Sequence, residues 1–156
     1  MFNIHILAIG KLKENYLHEA ENEYLKRLRP YARIIVQEIP EEAFRDATQK
    51  EKVTLCEAQA LDKKLPKNGL LVALDSGGKQ MDSVQFAKFL NEHTARGAQI
   101  TFIIGGPLGL HRSILEKADC RISLSALTFT HQMARVILLE QMYRAATILA
   151  GKKYHY

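Results

Sequence analysis

The chain has 156 residues, 47% of them hydrophobic, 25% charged, with a formal net charge of +5 and a pI near 9.2. That length and balance suit one ordinary domain with a single core, and no apolar run approaches the roughly 18 residues that a membrane span needs. The apolar start precedes its lysines and lacks a small-residue cleavage site, which excludes a secretory signal.

Residues 3–9 form an apolar run ended by Gly10 and read as a buried strand. Residues 14–28 read as a helix, with acids near its start, Lys26 and Arg27 near its end, and Pro30 to stop it. Leu17, Ala20, Tyr24 and Leu28 fall on one face of that helix. Residues 33–39 are β-branched and make a second strand, and residues 41–47 a loop. Residues 48–65 read as a helix stopped by Pro66, with Val53, Cys56, Ala60 and Leu65 facing inward. Residues 70–74 (LLVAL) have the continuous apolar character of a strand covered on both faces, and residues 75–79 form the loop beyond it. Asp82 or Ser83 caps a helix to about Arg96 that carries Val84, Phe86, Phe89 and Leu90. Residues 100–104 are a fourth strand, 113–118 a short helix, 120–124 a fifth strand and 130–150 the longest helix, ended by Gly151.

Strands and helices alternate throughout. That order predicts an α/β fold, a mostly parallel sheet with helices on both faces, and by itself suggests an open flavodoxin-like sheet. Ligands of such sheets bind outside the carboxyl ends of the strands. Here that edge gathers Leu74, Gly105 and Leu124. Cys56 and Cys120 lack metal-ligand spacing and point to a reduced, cytoplasmic protein. The net positive charge favours a polyanionic partner such as nucleic acid.

The stretch Gly105-Gly106-Pro107-Leu108-Gly109 fails both common phosphate fingerprints. It suits either a backbone-wrapped neutral or cationic ligand, or an ordinary turn between strand and helix. Residues 123–130 (SLSALTFT) could hold an adenine between apolar side chains, or could simply lead into a helix capped by Thr128 or Thr130. His131 and Arg135 share one face of the last helix, and Glu140 and Arg144 another. Leu138, Leu139, Met142, Ala146 and Leu149 read as core or subunit interface. The tail Lys152-Lys153-Tyr154-His155-Tyr156 combines charges that neutralise phosphates with rings that stack on unpaired bases, unless it is a frayed end. Lys26, Arg27, Arg29 and Arg33 form a basic cluster around Pro30.

The segments ILAIGKLKENY, VALDSGGKQMDS, FIIGGPLGL and ISLSALTFTHQMARVILLEQMYRA, with the terminal YHY, resemble the bacterial ribosomal RNA large-subunit methyltransferase H family, of the SPOUT class. The resemblance spans essentially the whole chain. It implies one SPOUT domain over residues 1–156 with a C-terminal trefoil knot, and a cytoplasmic homodimer whose sites are completed near the partner. It also implies methyl transfer from S-adenosylmethionine to N3 of a pseudouridine in 23S rRNA of the assembled ribosome, with neither membrane nor metal. By position, the cofactor pocket would be Leu74, Gly105, Leu124, Ser125, Ala126, Leu127, Thr128 and Phe129. Arg144, Tyr154 and His155 would anchor substrate and handle its proton. His131 and Arg135 would support the hinge or the dimer. Lys11 and Lys13 with the Lys26–Arg33 cluster would form an rRNA track. Two rivals stand beside this reading: an RNA-binding protein without catalysis, and a flavodoxin-like module for a phosphate-bearing small molecule.

Overall fold

The computed structural model describes residues 1–95 and 97–154. Arg96, His155 and Tyr156 lie outside them. Five strands and five helices follow one another: β1 (Phe2–Ile9), α1 (Asn15–Leu28), β2 (Ala32–Ile39), α2 (Lys50–Asp62), β3 (Leu70–Gln80), α3 (Ser83–Thr94), β4 (Gln99–Ile104), α4 (Arg112–Lys117), β5 (Cys120–Ser123) and α5 (His131–Leu149). The strands make one parallel sheet in the order β2-β1-β4-β3-β5.

Side-chain alternation along β1 builds two cores from one strand. Phe2, Ile4, Ile6 and Ala8 point to a core completed by Leu28 of α1, Phe86 and Leu90 of α3, and Leu138, Leu139 and Met142 of α5. Leu7 and Ile9 point to the other, beneath Ala58 and Leu61 of α2 and Ile114 of α4. Helices therefore cover both faces, as the alternating pattern predicts. The flavodoxin-like order 2-1-3-4-5 is not adopted, because β4 and not β3 pairs with β1. Local pattern cannot distinguish the two, since both strands are continuously apolar.

Three elements depart from expectation. Strand β3 does not end at Leu74. Leu74 and Lys79 both pair with Ile122, so residues 75–78 loop out and the strand resumes. Gly78 permits the close passage, since a Cβ there would lie 2.7 Å from backbone atoms of Arg121 and Ile122. Helix α2 begins after a 3₁₀ turn at Ala47–Gln49, in which the Asp46 side chain accepts from the Thr48 amide. It buries Val53, Thr54, Glu57, Ala58 and Leu61, while Cys56 is exposed. On α3, Phe86 and Leu90 are buried but Val84 is exposed. The Asp82 cap is present as a full capping box with Gln85.

Candidate active site at the carboxyl edge

The segment between β5 and α5 follows from the topology. Strand β5 lies at the sheet edge beside β3. Helix α5 starts at the far side, where a Cβ on Gly10, just past β1, would stand 3.2 Å from His131 Nε2. The Lys13 amide donates to Gln132 Oε1 at 2.8 Å. Residues 124–130 must therefore pass from β5 back towards β1, three strand spacings or about 14 Å, across the ends of β3 and β4. This hinge runs over the edge that carries Leu74 and Gly105.

The hydroxyls of the hinge shape it from within. Ser123 Oγ donates to the Ser125 carbonyl at 2.9 Å, and Ser125 Oγ accepts from the Leu127 amide at 3.0 Å. Thr130, not Thr128, caps α5 by accepting from the Met133 amide at 3.2 Å. The segment leads into a capped helix, and it leaves apolar side chains outside. Leu127 is 74% exposed and Phe129 36%. Leu74 and Leu124 are half-buried beneath, Ser125 is half-buried, and Ala126 and Thr128 are exposed.

Gly105 is needed by its own loop. A Cβ there would meet the Gly109 carbonyl carbon at 2.7 Å, and the Gly109 amide closes the turn onto the Gly106 carbonyl at 3.0 Å. Gly109 takes a φ of 83°, which favours glycine. The turn packs on α2: a Cβ on Gly106 would come within 3.2 Å of Glu57 Oε1.

Two cavities open nearby. One of ≈ 350 Å³ lies under Leu124, between Met81, Ser83, Phe86, Ile122 and Gln141. A larger one, ≈ 810 Å³, lies between residues 10–13 and 38–44 and contains none of the sequence-predicted cofactor residues. Of the cofactor set only Leu124 borders the smaller cavity.

Hydrogen bonds connect that smaller cavity to the catalytic candidates. Ser83 Oγ donates to Gln141 Oε1 at 2.7 Å, and Gln141 Nε2 donates to Glu140 Oε2 at 2.6 Å. Glu140 Oε1 in turn accepts from Arg144 Nε at 3.1 Å and Nη2 at 2.6 Å. The Tyr154 hydroxyl donates weakly to the same oxygen at 3.4 Å, and the Arg144 guanidinium lies 5.0 Å from the Tyr154 ring centre. Burial and a hydrogen bond with Tyr24 push the Tyr154 phenol up to about 12. Hydrogen bonding to Glu140 raises Arg144 further. The structure thus brings Arg144 and Tyr154 together; His155 lies outside the described residues.

Arg135 has a different setting. It is 4% exposed, bidentate to Glu21 at 2.6 and 2.9 Å and bonded to Glu38 at 2.8 Å. It clamps α5 to α1 and β2. His131 is half-buried beside Glu41, its Nε2 without a hydrogen-bond partner among the described residues, and burial lowers its pKa. The basic residues do not form one track. Lys11 and Lys13 lie at the carboxyl edge, whereas Lys26, Arg29 and Arg33 flank the opposite end of α1, about 21 Å along its axis. Lys152 joins the second group through the Tyr31 hydroxyl at 2.5 Å. Among these, Arg27 is engaged by Glu23 at 2.7 Å.

Sequence reasoning missed Glu21 and Glu38 as partners of Arg135. It also missed Glu41 and Glu42 at the larger cavity. The run QEIPEE at the end of β2, three acids at the ligand edge of the sheet, was the available signal. Among the described residues, no group of three His, Cys, Asp or Glu side chains could hold a metal ion, and no helix is long and apolar enough to cross a membrane.

Known proteins share this fold. A probable methylase family protein from Haemophilus influenzae superimposes with a TM-score of 0.63 at 13% identity, covering 99% of this chain and 71% of that one. A probable methyltransferase from Bordetella pertussis gives 0.60 at 12% identity, covering 93% and 96%. These establish likeness of fold. The family described as "Predicted SPOUT methyltransferase" matches residues 2–155, and the chain belongs to it. Relatives named "Ribosomal RNA large subunit methyltransferase H" include one from Carboxydothermus hydrogenoformans, 45% identical over 97% of this chain and 98% of its own. Another from Pelotomaculum thermopropionicum is 46% identical over the full length of both.

Proposed function

We propose that this SPOUT methyltransferase transfers a methyl group from S-adenosylmethionine to N3 of a pseudouridine in 23S rRNA of the assembled ribosome. In this reading it acts as a single-domain homodimer with a knotted C-terminal third. The observation that carries the reading is the hinge across the ends of β3 and β4, with Leu127 and Phe129 turned outward over Leu74 and Gly105. The names of the 41–46% identical relatives supply the substrate class.

The residues fit the cofactor. Leu127 and Phe129 offer apolar surface for an adenine, and Gly105 stands at the strand end beneath them without a side chain of its own. Leu74, Leu124, Ser125, Ala126 and Thr128 complete the holding set. When bound, S-adenosylmethionine supplies an activated methyl. What remains for the protein is alignment and the substrate's proton. An imide nitrogen becomes a good nucleophile on losing its proton, and Arg144, permanently charged, stabilises the resulting anion. Arg144 stands thirteen residues beyond His131, about 20 Å along α5, so in the homodimer it would serve the partner's pocket, and Glu140 holds its guanidinium in place. Tyr154, with its pKa near 12, stays a neutral phenol at physiological pH and serves as hydrogen-bond donor rather than base. In this reading His155 is the candidate proton acceptor.

Calorimetric titration with S-adenosylmethionine tests the pocket. Leu127→Asp is the better probe than a change at Gly105, because Leu127 is largely outside the core while Gly105 is needed by its own turn. Saturable binding to the parent chain, lost in Leu127→Asp, is the expected result. Tight salt-dependent binding to ribosomes with no cofactor affinity, with or without ribosomes present, would overturn the enzyme reading.

A further inference from the structure

The larger cavity is unused by the mechanism above. It lies between the β1–α1 loop (Gly10, Lys11, Leu12, Lys13) and the segment after β2 (Pro40, Glu41, Phe44). Its volume of ≈ 810 Å³ is within the range of small-ligand sites. Its place is beside the hinge, since Gly10 abuts His131 where α5 begins, and β1 neighbours β4. Leu12 and Ile39 give it an apolar floor, half-buried Phe44 an aromatic wall, and Lys11 and Lys13 an exposed cationic rim.

The carboxylates around it differ in one respect. Glu38 is bonded to Arg135. Glu42 accepts from Cys56 Sγ at 3.3 Å, and Glu57 accepts from the Glu42 amide at 3.1 Å. Of the three that line it, Glu38, Glu41 and Glu42, Glu41 alone has no hydrogen-bond donor among the described residues. Its Oε2 stands 3.7 Å from His131 Nε2 and 3.9 Å from Lys13 Nζ, and its side chain is 21% exposed. A half-shielded carboxylate without a donor, at the wall of a cavity, is matched by a ligand that brings an N–H.

We propose that this cleft receives the target nucleotide, and that Glu41 accepts the base N–H that distinguishes pseudouridine from uridine. The inference rests on the methyltransferase reading. A base that undergoes chemistry must leave its stack and enter a pocket, with its phosphates outside. Lys11 and Lys13 on the rim suit the phosphates, and Phe44 suits the face of the ring. In pseudouridine the glycosidic bond is to carbon, so N1 keeps its hydrogen; uridine presents a C–H at that place. With N3 committed to methylation, N1–H is the donor left to be read. A carboxylate only accepts, so uridine costs Glu41 hydration without offering it a hydrogen-bond donor.

The test measures kcat/KM for methyl transfer from radiolabelled S-adenosylmethionine to two preparations of assembled ribosomes. One carries pseudouridine at the target, and the other, from cells lacking the pseudouridine synthase, carries uridine. The parent chain is expected to prefer pseudouridine, and Glu41→Ala to shrink that preference by roughly ten- to a hundredfold. Glu41→Gln, which keeps an acceptor, should restore part of it, and cofactor affinity should be unchanged in both. Lys11→Ala should raise KM on both ribosomes alike, since phosphate contacts carry no base information. No transfer by the parent chain would bring down the methyltransferase reading and this inference with it. Transfer without preference, or an equal loss on both ribosomes in Glu41→Ala, would overturn the inference alone.

Discussion

Arg135 and Arg144 stand on the same helix, each bonded to glutamate, and they do opposite things. Arg135 is enclosed and held by two carboxylates from two other elements, Glu21 of α1 and Glu38 of β2. Its charge is spent entirely within the fold. Arg144 is held by a single carboxylate one turn back on its own helix, and its side chain remains 26% exposed. Its guanidinium is oriented but not consumed. Burial and the origin of the partner separate a clamp from a guanidinium still open to solvent.

The difference can be broken most sharply at the clamp. Arg135→Ala strands the carboxylate of Glu21, itself 6% exposed, and is expected to cost about 3–5 kcal/mol in urea unfolding. A loss below about 1 kcal/mol would mean that the pairing is no clamp. Arg144→Ala should reverse the pattern: about 1 kcal/mol or less of stability, but roughly a hundredfold slower methylation of ribosomes at unchanged cofactor affinity. A double-mutant cycle on Glu140 and Arg144, read by thermal unfolding, should give a coupling of about 0.3–0.5 kcal/mol, as helix pairs four apart do.

The smallest effects are in pH dependence, and they sharpen the contrast between the two ends of α5. Burial lowers the His131 pKa below 6.5, so the unfolded chain binds protons more readily. That stability is present above about pH 6.5 and is lost as pH falls through the folded value. His5, lowered for the same reason, contributes in the same direction. His131→Asn should therefore flatten part of the acid limb in a melting-temperature series. At the other end Tyr154 is raised from 10.0 to about 12, so its contribution is complete below pH 10 and fades as pH climbs towards 12. Tyr154→Phe should flatten the alkaline limb instead.

Much of this was legible in the sequence because the signals are local. Apolar runs ended by glycine or proline located the strands, and the Asp82 cap and the long α5 were read from single residues and from periodicity. The site's rim was legible too, through the glycines after β4 and the small, hydroxylated hinge. What was hidden is non-local. That β4 lies between β1 and β3 depends on which of two equally apolar strands pairs with β1. The segment DSGGKQ reads as a plain turn, yet resumes as strand because Gly78 passes tightly over β5. The partners of Arg135 are separated from it by 114 and 97 residues, a distance across which no spacing rule applies. Glu41 looks like one acid of a charged loop, and only its missing donor sets it apart.

Helix α5 packs against both α1 and α3 and contributes Leu138, Leu139 and Met142 to the main core, although it comes last in the chain. During synthesis, then, five strands and four of the helices emerge with a hydrophobic trough still open between α1 and α3. Nothing translated before α5 can fill it. The same late segment brings Arg144 and the hinge, so binding competence and the closing of the core arrive together. An incomplete product of translation would be both sticky and inert, and a cell's quality control would see the first property before any substrate could encounter the second.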